Sequence, residues 1–116
     1  MINLIIVDDE KTTRDSLEEY ISWNELGVDL VATAKNGLDA LKLAQKIKPD
    51  ILLTDVRMPK MDGIKLAFKI RELYEDCMII FLSGYSDKEY LMKAIYLQAI
   101  SYIEKPISIK EIRSVV

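Results

Sequence analysis

Five side chains in this sequence could handle a charged group in one place: Asp8, Asp9, Asp55, Ser83 and Lys105. Asp8-Asp9 follows the apolar run 2–7, Asp55 follows 51–54, Ser83 follows 78–82, and Lys105 comes just after 100–103. Taken singly, each has a plain reading. Asp8-Asp9 suits the start of a helix, and Asp55 suits a turn before Pro59. Taken together, they make a crowded acidic site. Two carboxylates about 5 Å apart repel by roughly 3 kcal/mol at an effective dielectric near 20, and one lysine under-compensates three of them. A hard divalent cation with oxygen ligands resolves the conflict, and Mg²⁺ suits because it keeps open positions for water and phosphate oxygens. Such a cation beside a carboxylate and a lysine is suited to phosphoryl transfer. Asp55 is then the expected nucleophile, forming an acyl phosphate, with Lys105 and Ser83 receiving the phosphoryl charge. The chain contains no histidine. That excludes Ser-His-Asp chemistry, histidine metal sites and an internal phosphohistidine, so the phosphoryl group must come from another molecule.

These residues converge only if the apolar runs are neighbouring strands. Residues 2–7, 51–54 and 78–82 are nearly continuous apolar runs, as expected of parallel strands covered on both faces. Residues 28–32 alternate partly, as an edge strand does, and 100–103 form a short fifth strand. Helical spacing places Leu17 and Ile21 on one face of a first helix and Ala40, Ala44 and Ile47 on a second. Ile64, either Ala67 or Phe68, and residues 70–73 serve a third, while Leu91, Ala94 and Ile95 serve a fourth. Asn36-Gly37, Lys48-Pro49, Asp62-Gly63 and Ser83-Gly84 punctuate the joins. The alternation of strand and helix predicts an α/β fold with right-handed crossovers and helices on both sides of a parallel sheet. In such sheets functional groups gather outside the carboxyl ends of the strands, which is where the five residues fall.

The 116 residues suit one domain, and half of them are apolar. Sixteen basic against nineteen acidic residues give a net charge of −3, with no block of like charge to recommend DNA or an anionic membrane as a direct partner. The first apolar run is too short for a signal peptide, and no later one could span a bilayer. A single cysteine, Cys77, excludes an internal disulfide and fits a reducing cytoplasm. Ser108 looks like the cap of a final helix with Ile109, Ile112 and Val116 on its apolar face. That helix is short, and the expectation is that residues 1–116 are one domain cut from a longer protein.

At the acidic residues the sequence resembles the receiver domains of two-component response regulators, the CheY-like family. Val7-Asp8-Asp9-Glu10, residues 54–59, Met61-Asp62-Gly63, Leu82-Ser83-Gly84 and Glu104-Lys105-Pro106 fall in family order at family-like spacing. The resemblance spans the whole chain. It implies a flavodoxin-like (βα)5 sandwich with strand order 2-1-3-4-5. It also implies that Asp9 binds Mg²⁺ directly and Asp8 chiefly through water, with the backbone carbonyl of Arg57 as a further ligand. Ser83 and Tyr102 stand where the family has its switch residues, and the Lys105–Pro106 peptide is expected to be cis. Arg57 and Tyr85 occupy positions that tune loss of the phosphoryl group, and both are bulky, so slow loss is expected. Gly63 reads as a helix-start glycine. Gln98 departs from a common glycine without touching the site. The partners implied are a sensor histidine kinase and an attached or partner output domain, with homodimerisation on phosphorylation left open.

A narrower resemblance is carried by Trp23-Asn24-Glu25-Leu26-Gly27 and by residues 82–90, which look like receivers attached to AraC-type DNA-binding domains. It implies transcription regulation by a parent protein whose DNA-binding part lies outside these residues. The simpler reading is that Trp23 and Leu26 staple the first helix to the sheet edge. A haloacid-dehalogenase-type enzyme would want an acid two residues after the nucleophile, where this chain has Arg57. An FMN-binding flavodoxin would need a phosphate loop after the first strand, which is absent. A degenerate receiver would have lost a key acid or the lysine. The expectation is therefore a phosphoacceptor that is not a turnover enzyme.

Overall fold

The structure, a computed structural model, describes residues 2–19, 21–83 and 101–104. Five strands are present: β1 (Ile2–Val7), β2 (Val28–Ala34), β3 (Ile51–Asp55), β4 (Met78–Ser83) and β5 (Ser101–Glu104). Among the described residues, three helices lie between them: α1 (Lys11–Glu19), α2 (Gly37–Lys46) and α3 (Gly63–Leu73), with a 3₁₀ turn at Trp23–Leu26. All pairings are parallel and the order is β2-β1-β3-β4-β5. The expected α/β architecture and strand order are both found, with β2 at an edge. The predicted segments around Leu91, Ala94 and Ile95 and around Ile109, Ile112 and Val116 lie outside the described residues.

The strands alternate between two cores. Ile5, Val7, Leu52, Ile79 and Phe81 face α2 and α3, where they meet Ala40, Ala44, Ile64, Ala67 and Ile70. Leu4, Ile6, Leu53, Ile80 and Leu82 face the other way, toward Leu17, Ile21 and Trp23. This two-sided burial is why β1, β3 and β4 read as unbroken apolar runs. Both α2 and α3 start from side-chain caps, Asn36 accepting from the Asp39 amide and Asp62 from the Lys65 amide. The helical spacing resolves to Ala67, since Phe68 is exposed, and Ile47 and Leu73 lie on the surface rather than in the core. Helix α1 ends at Glu19, yet Ile21 still joins the apolar cluster under it. Trp23 is buried there too, and its indole N–H donates to the Leu17 carbonyl at 3.0 Å, so the Trp23 turn does staple α1 to the β2 edge.

At the opposite end from the acidic residues, Asp50 ties three strands together. Its amide donates to the Asn3 carbonyl, its carboxylate accepts from the Asn3 amide, and its carbonyl accepts from the Met78 amide. Cys77 is buried beside it, and desolvation pushes its thiol pKa up to about 11.

Candidate functional site

Register explains how the acids meet. Leu4 pairs with Ile51 and Ile6 lies beside Leu53, while Val7 pairs with Thr54 at the end of the ladder. Side chains two residues apart share a face. One step beyond the pair Ile6–Leu53, Asp8 and Asp55 therefore stand side by side on neighbouring strands, continuing a row that is apolar up to that point. Neighbouring strands lie about 4.8 Å apart. Both residues are buried, Asp8 at 0% and Asp55 at 6% exposure.

Each carboxylate is held by the turn that follows its strand. The Asp8 amide donates to the Ala34 carbonyl at 3.1 Å, extending the β2 pairing by one residue. Its Oδ1 accepts from the Glu10 amide at 2.9 Å. Asp55 Oδ1 accepts from the Val56 amide at 2.8 Å. Behind Asp55, the Gly63 amide donates to the Val56 carbonyl at 2.7 Å. A Cβ on Gly63 would collide with the Asp55 carbonyl oxygen and stand 3.2 Å from Thr54 Oγ1. The loop between them is drawn in by a three-residue turn at Lys60, whose φ is +68°, closed by the Met61 amide on the Pro59 carbonyl. The carbonyl of Met61 in turn abuts Gly37, the first residue of α2.

Around the buried pair, Asp9 and Glu10 are exposed. One carboxylate oxygen each from Asp8, Asp9 and Glu10 lies within 4.8 Å of the others. An all-oxygen donor set with one buried and two accessible acids fits a hard cation that keeps part of its water shell. Glu10 was quoted in the sequence motif but not expected as a donor. The helical start at Lys11 is what turns it back toward Asp8. Arg14, on the first turns of α1, was also missed: its guanidinium donates to the Asp8 carbonyl at 2.7 Å. Nothing in the residue types marks that bond in advance, because it depends on the angle at which α1 leaves the sheet.

The other predicted residues are placed only by backbone. Ser83 ends β4, one residue beyond Leu82, the register partner of Asp55. Tyr102 lies in β5, paired with Phe81, and Glu104 pairs with Ser83. Arg57 is exposed in the loop after Asp55. Tyr85, Lys105 and Pro106 lie outside the described residues.

Residues 4–116 match the response regulator receiver domain family. The chain belongs to that family. Among solved structures, it resembles a two-component transcriptional regulator AraC from Clostridium phytofermentans, with 53% identity and a TM-score of 0.91, covering 98% of this chain and 88% of that one. The receiver domain of AraT, a response regulator from Geobacillus stearothermophilus, is 38% identical with a TM-score of 0.93, again over 98% and 88%. The transcriptional regulatory protein HptR of Staphylococcus aureus is 37% identical over 107 residues. That match takes in 92% of this receiver but only 42% of HptR. Two-fifths of the length of such curated relatives is therefore what the chain spans.

Proposed function

We propose that this receiver takes a phosphoryl group on Asp55 in a Mg²⁺-dependent reaction, with Asp8, Asp9 and Asp55 and the Arg57 carbonyl as the metal's protein ligands. The observation that carries the reading is the buried Asp8–Asp55 pair at the ends of adjacent strands, flanked by accessible acids. A bound cation would neutralise the acids and polarise the phosphoryl oxygens. An Asp55 carboxylate oxygen attacks phosphorus, a P–O bond forms as the donor's P–N bond breaks, and the leaving imidazole takes up a proton. Lys105 and Ser83 hold the phosphoryl oxygens, and rearrangement of Ser83 and Tyr102 passes the change to β4 and β5.

Because the chain has no histidine, the donor is the phosphohistidine of a separate sensor kinase. The aspartate is consumed once per event, so the domain acts as a switch and not as a turnover enzyme. The likeness to an AraC regulator supports an attached transcriptional output of AraC type, and the lone cysteine fits a cytoplasmic setting. Among the described residues, no helix is long and apolar enough to cross a membrane. The test is incubation with Mg²⁺ and acetyl phosphate, followed by intact mass measurement. Wild type should gain one phosphoryl group and Asp55→Ala none. Equal labelling of the alanine variant would place the nucleophile elsewhere.

A further inference from the structure

Beyond the acids themselves, we infer that Arg14 is a positioning residue that holds the Asp8–Glu10 segment in its metal-binding shape. The inference rests on the proposed Mg²⁺ site and concerns how that site is kept in form. Asp8 is fixed on three sides: its amide by the Ala34 carbonyl, its Oδ1 by the Glu10 amide, and its carbonyl by the Arg14 guanidinium. The first tie comes from β2 and the second from within the segment. Only the third is a side chain reaching back from α1. The Arg14 amide also donates to the Glu10 carbonyl, a helical backbone bond that any residue there keeps, so the guanidinium bond to Asp8 is what the side chain adds.

A charge-assisted bond of this kind is stronger than a neutral one and fixes the plane of the Asp8–Asp9 peptide. The direction of both carboxylates follows from that plane. The same side chain lines an open cleft of about 470 Å³ with Thr33, Lys35, Asp39 and Lys42. Being a cation itself, Arg14 repels a metal ion and can favour its binding only by holding the ligands. Electrostatics and positioning therefore predict opposite signs. Removing a positive charge near the acids should tighten cation binding, whereas releasing the Asp8 peptide should weaken it.

The experiment titrates MgCl₂ alone, without phosphodonor, and reads the metal-dependent rise in melting temperature of wild type, Arg14→Met and Arg14→Lys. Loss of a residue that orients a metal ligand commonly costs 10- to 100-fold in affinity, so Arg14→Met should raise the Mg²⁺ Kd by about tenfold or more. Arg14→Lys keeps the charge and a single donor, and should fall between. A Kd in Arg14→Met equal to or tighter than wild type overturns the inference. Should Arg14→Met fail to fold, Arg14→Lys decides: a several-fold weaker Kd supports positioning and an unchanged one refutes it. A wild type whose melting temperature ignores Mg²⁺ overturns the metal site and this inference together.

Discussion

Gly63→Ala places a methyl group where the structure has none to spare. The new Cβ would meet the Asp55 carbonyl oxygen, its carbonyl carbon at 3.0 Å and Thr54 Oγ1 at 3.2 Å. Two of those three atoms are backbone of β3, which is paired on both sides by β1 and β4 and has no freedom to retreat. Helix α3 must move instead, by on the order of 1 Å before ordinary contact is restored. That strains the Gly63 amide bond to Val56 and the Asp62 cap. Overpacking of this kind costs about 1–3 kcal/mol, and a backbone obstacle argues for the upper end. Alanine's better helix propensity returns at most about 1 kcal/mol. The net expectation is about 2 kcal/mol of destabilisation, or a melting temperature lower by roughly 8 °C in a chain of this size. Thermal and urea denaturation measure it, and labelling by acetyl phosphate should slow because the loop that joins Asp55 to α3, with the Arg57 carbonyl, shifts with the helix. A Gly63→Ala protein that melts with wild type and labels at the same rate would refute the close-approach argument.

Other outcomes follow from the same geometry. Mg²⁺ at about ten times its Kd should stabilise the folded receiver by about 1.4 kcal/mol, a rise that Asp9→Asn should diminish while making the metal-free protein melt higher. A metal-free Asp9→Asn protein that melts lower would count against crowded acids. Cys77 has its folded pKa raised from 9.0 to about 11, so its contribution is fully present below pH 9 and is lost as pH climbs toward 11. That loss is on the order of 2–3 kcal/mol, and stability profiles of Cys77→Ala should be flatter across that window; equal slopes in both proteins would dismiss it. Labelled Asp55 should decay faster in Arg57→Asn/Tyr85→Ala than in wild type once donor is removed, and equal rates would end the shielding idea.

Much of the molecule was legible because burial on both faces leaves a plain mark. The apolar runs of β1, β3 and β4 pinned the sheet, and the acids followed from where those runs stop. Helix faces were less legible. Ala67 and Phe68 both satisfy a 3.6-residue spacing, and only the packing of α3 on β3 and β4 selects the smaller one. Ile47 and Leu73 sit at helix ends, where periodicity continues on paper after the helix has left the core. Strand β2 runs to Ala34, two residues past its alternating pattern, because β1 carries its pairing onward to Asp8. Gly63 read as a helix-start glycine, and it does open α3 behind the Asp62 cap. Its close contact with Asp55 depends on how the 56–62 loop folds back on β3, and residue types do not register that. Arg14 escaped because its bond to Asp8 depends on the angle at which α1 leaves the sheet.

The placement of the acid pair has a physical consequence for how this receiver switches. Along one face of the sheet the rows run Leu4–Ile51, then Ile6–Leu53 with Ile80, and only then Asp8–Asp55 with Leu82. The charges thus border an apolar core on one side and solvent on the other. Their interactions are stronger there than on an open surface, because less water screens them. A change of charge at Asp55 is correspondingly costly to leave uncompensated. By the proposed function the compensating residues are Ser83, which follows Leu82 at the end of β4, and Lys105, which follows β5 in the sequence. Those two strands are paired from Ile80–Ser101 to Ser83–Glu104, so whatever draws Ser83 toward a phosphorylated Asp55 acts on β5 as well. Strands β1 and β2 are tied at one end by the Ile2 amide on the Gly27 carbonyl and at the other by the Asp8 amide on the Ala34 carbonyl, and no switch residue lies on either. The response should therefore travel toward β5 and leave the β2 edge still. Hydrogen exchange before and after phosphorylation should show changed protection in β4 and β5 amides, with those of Val28–Ala34 unaltered; equal changes at both edges would refute a one-sided switch.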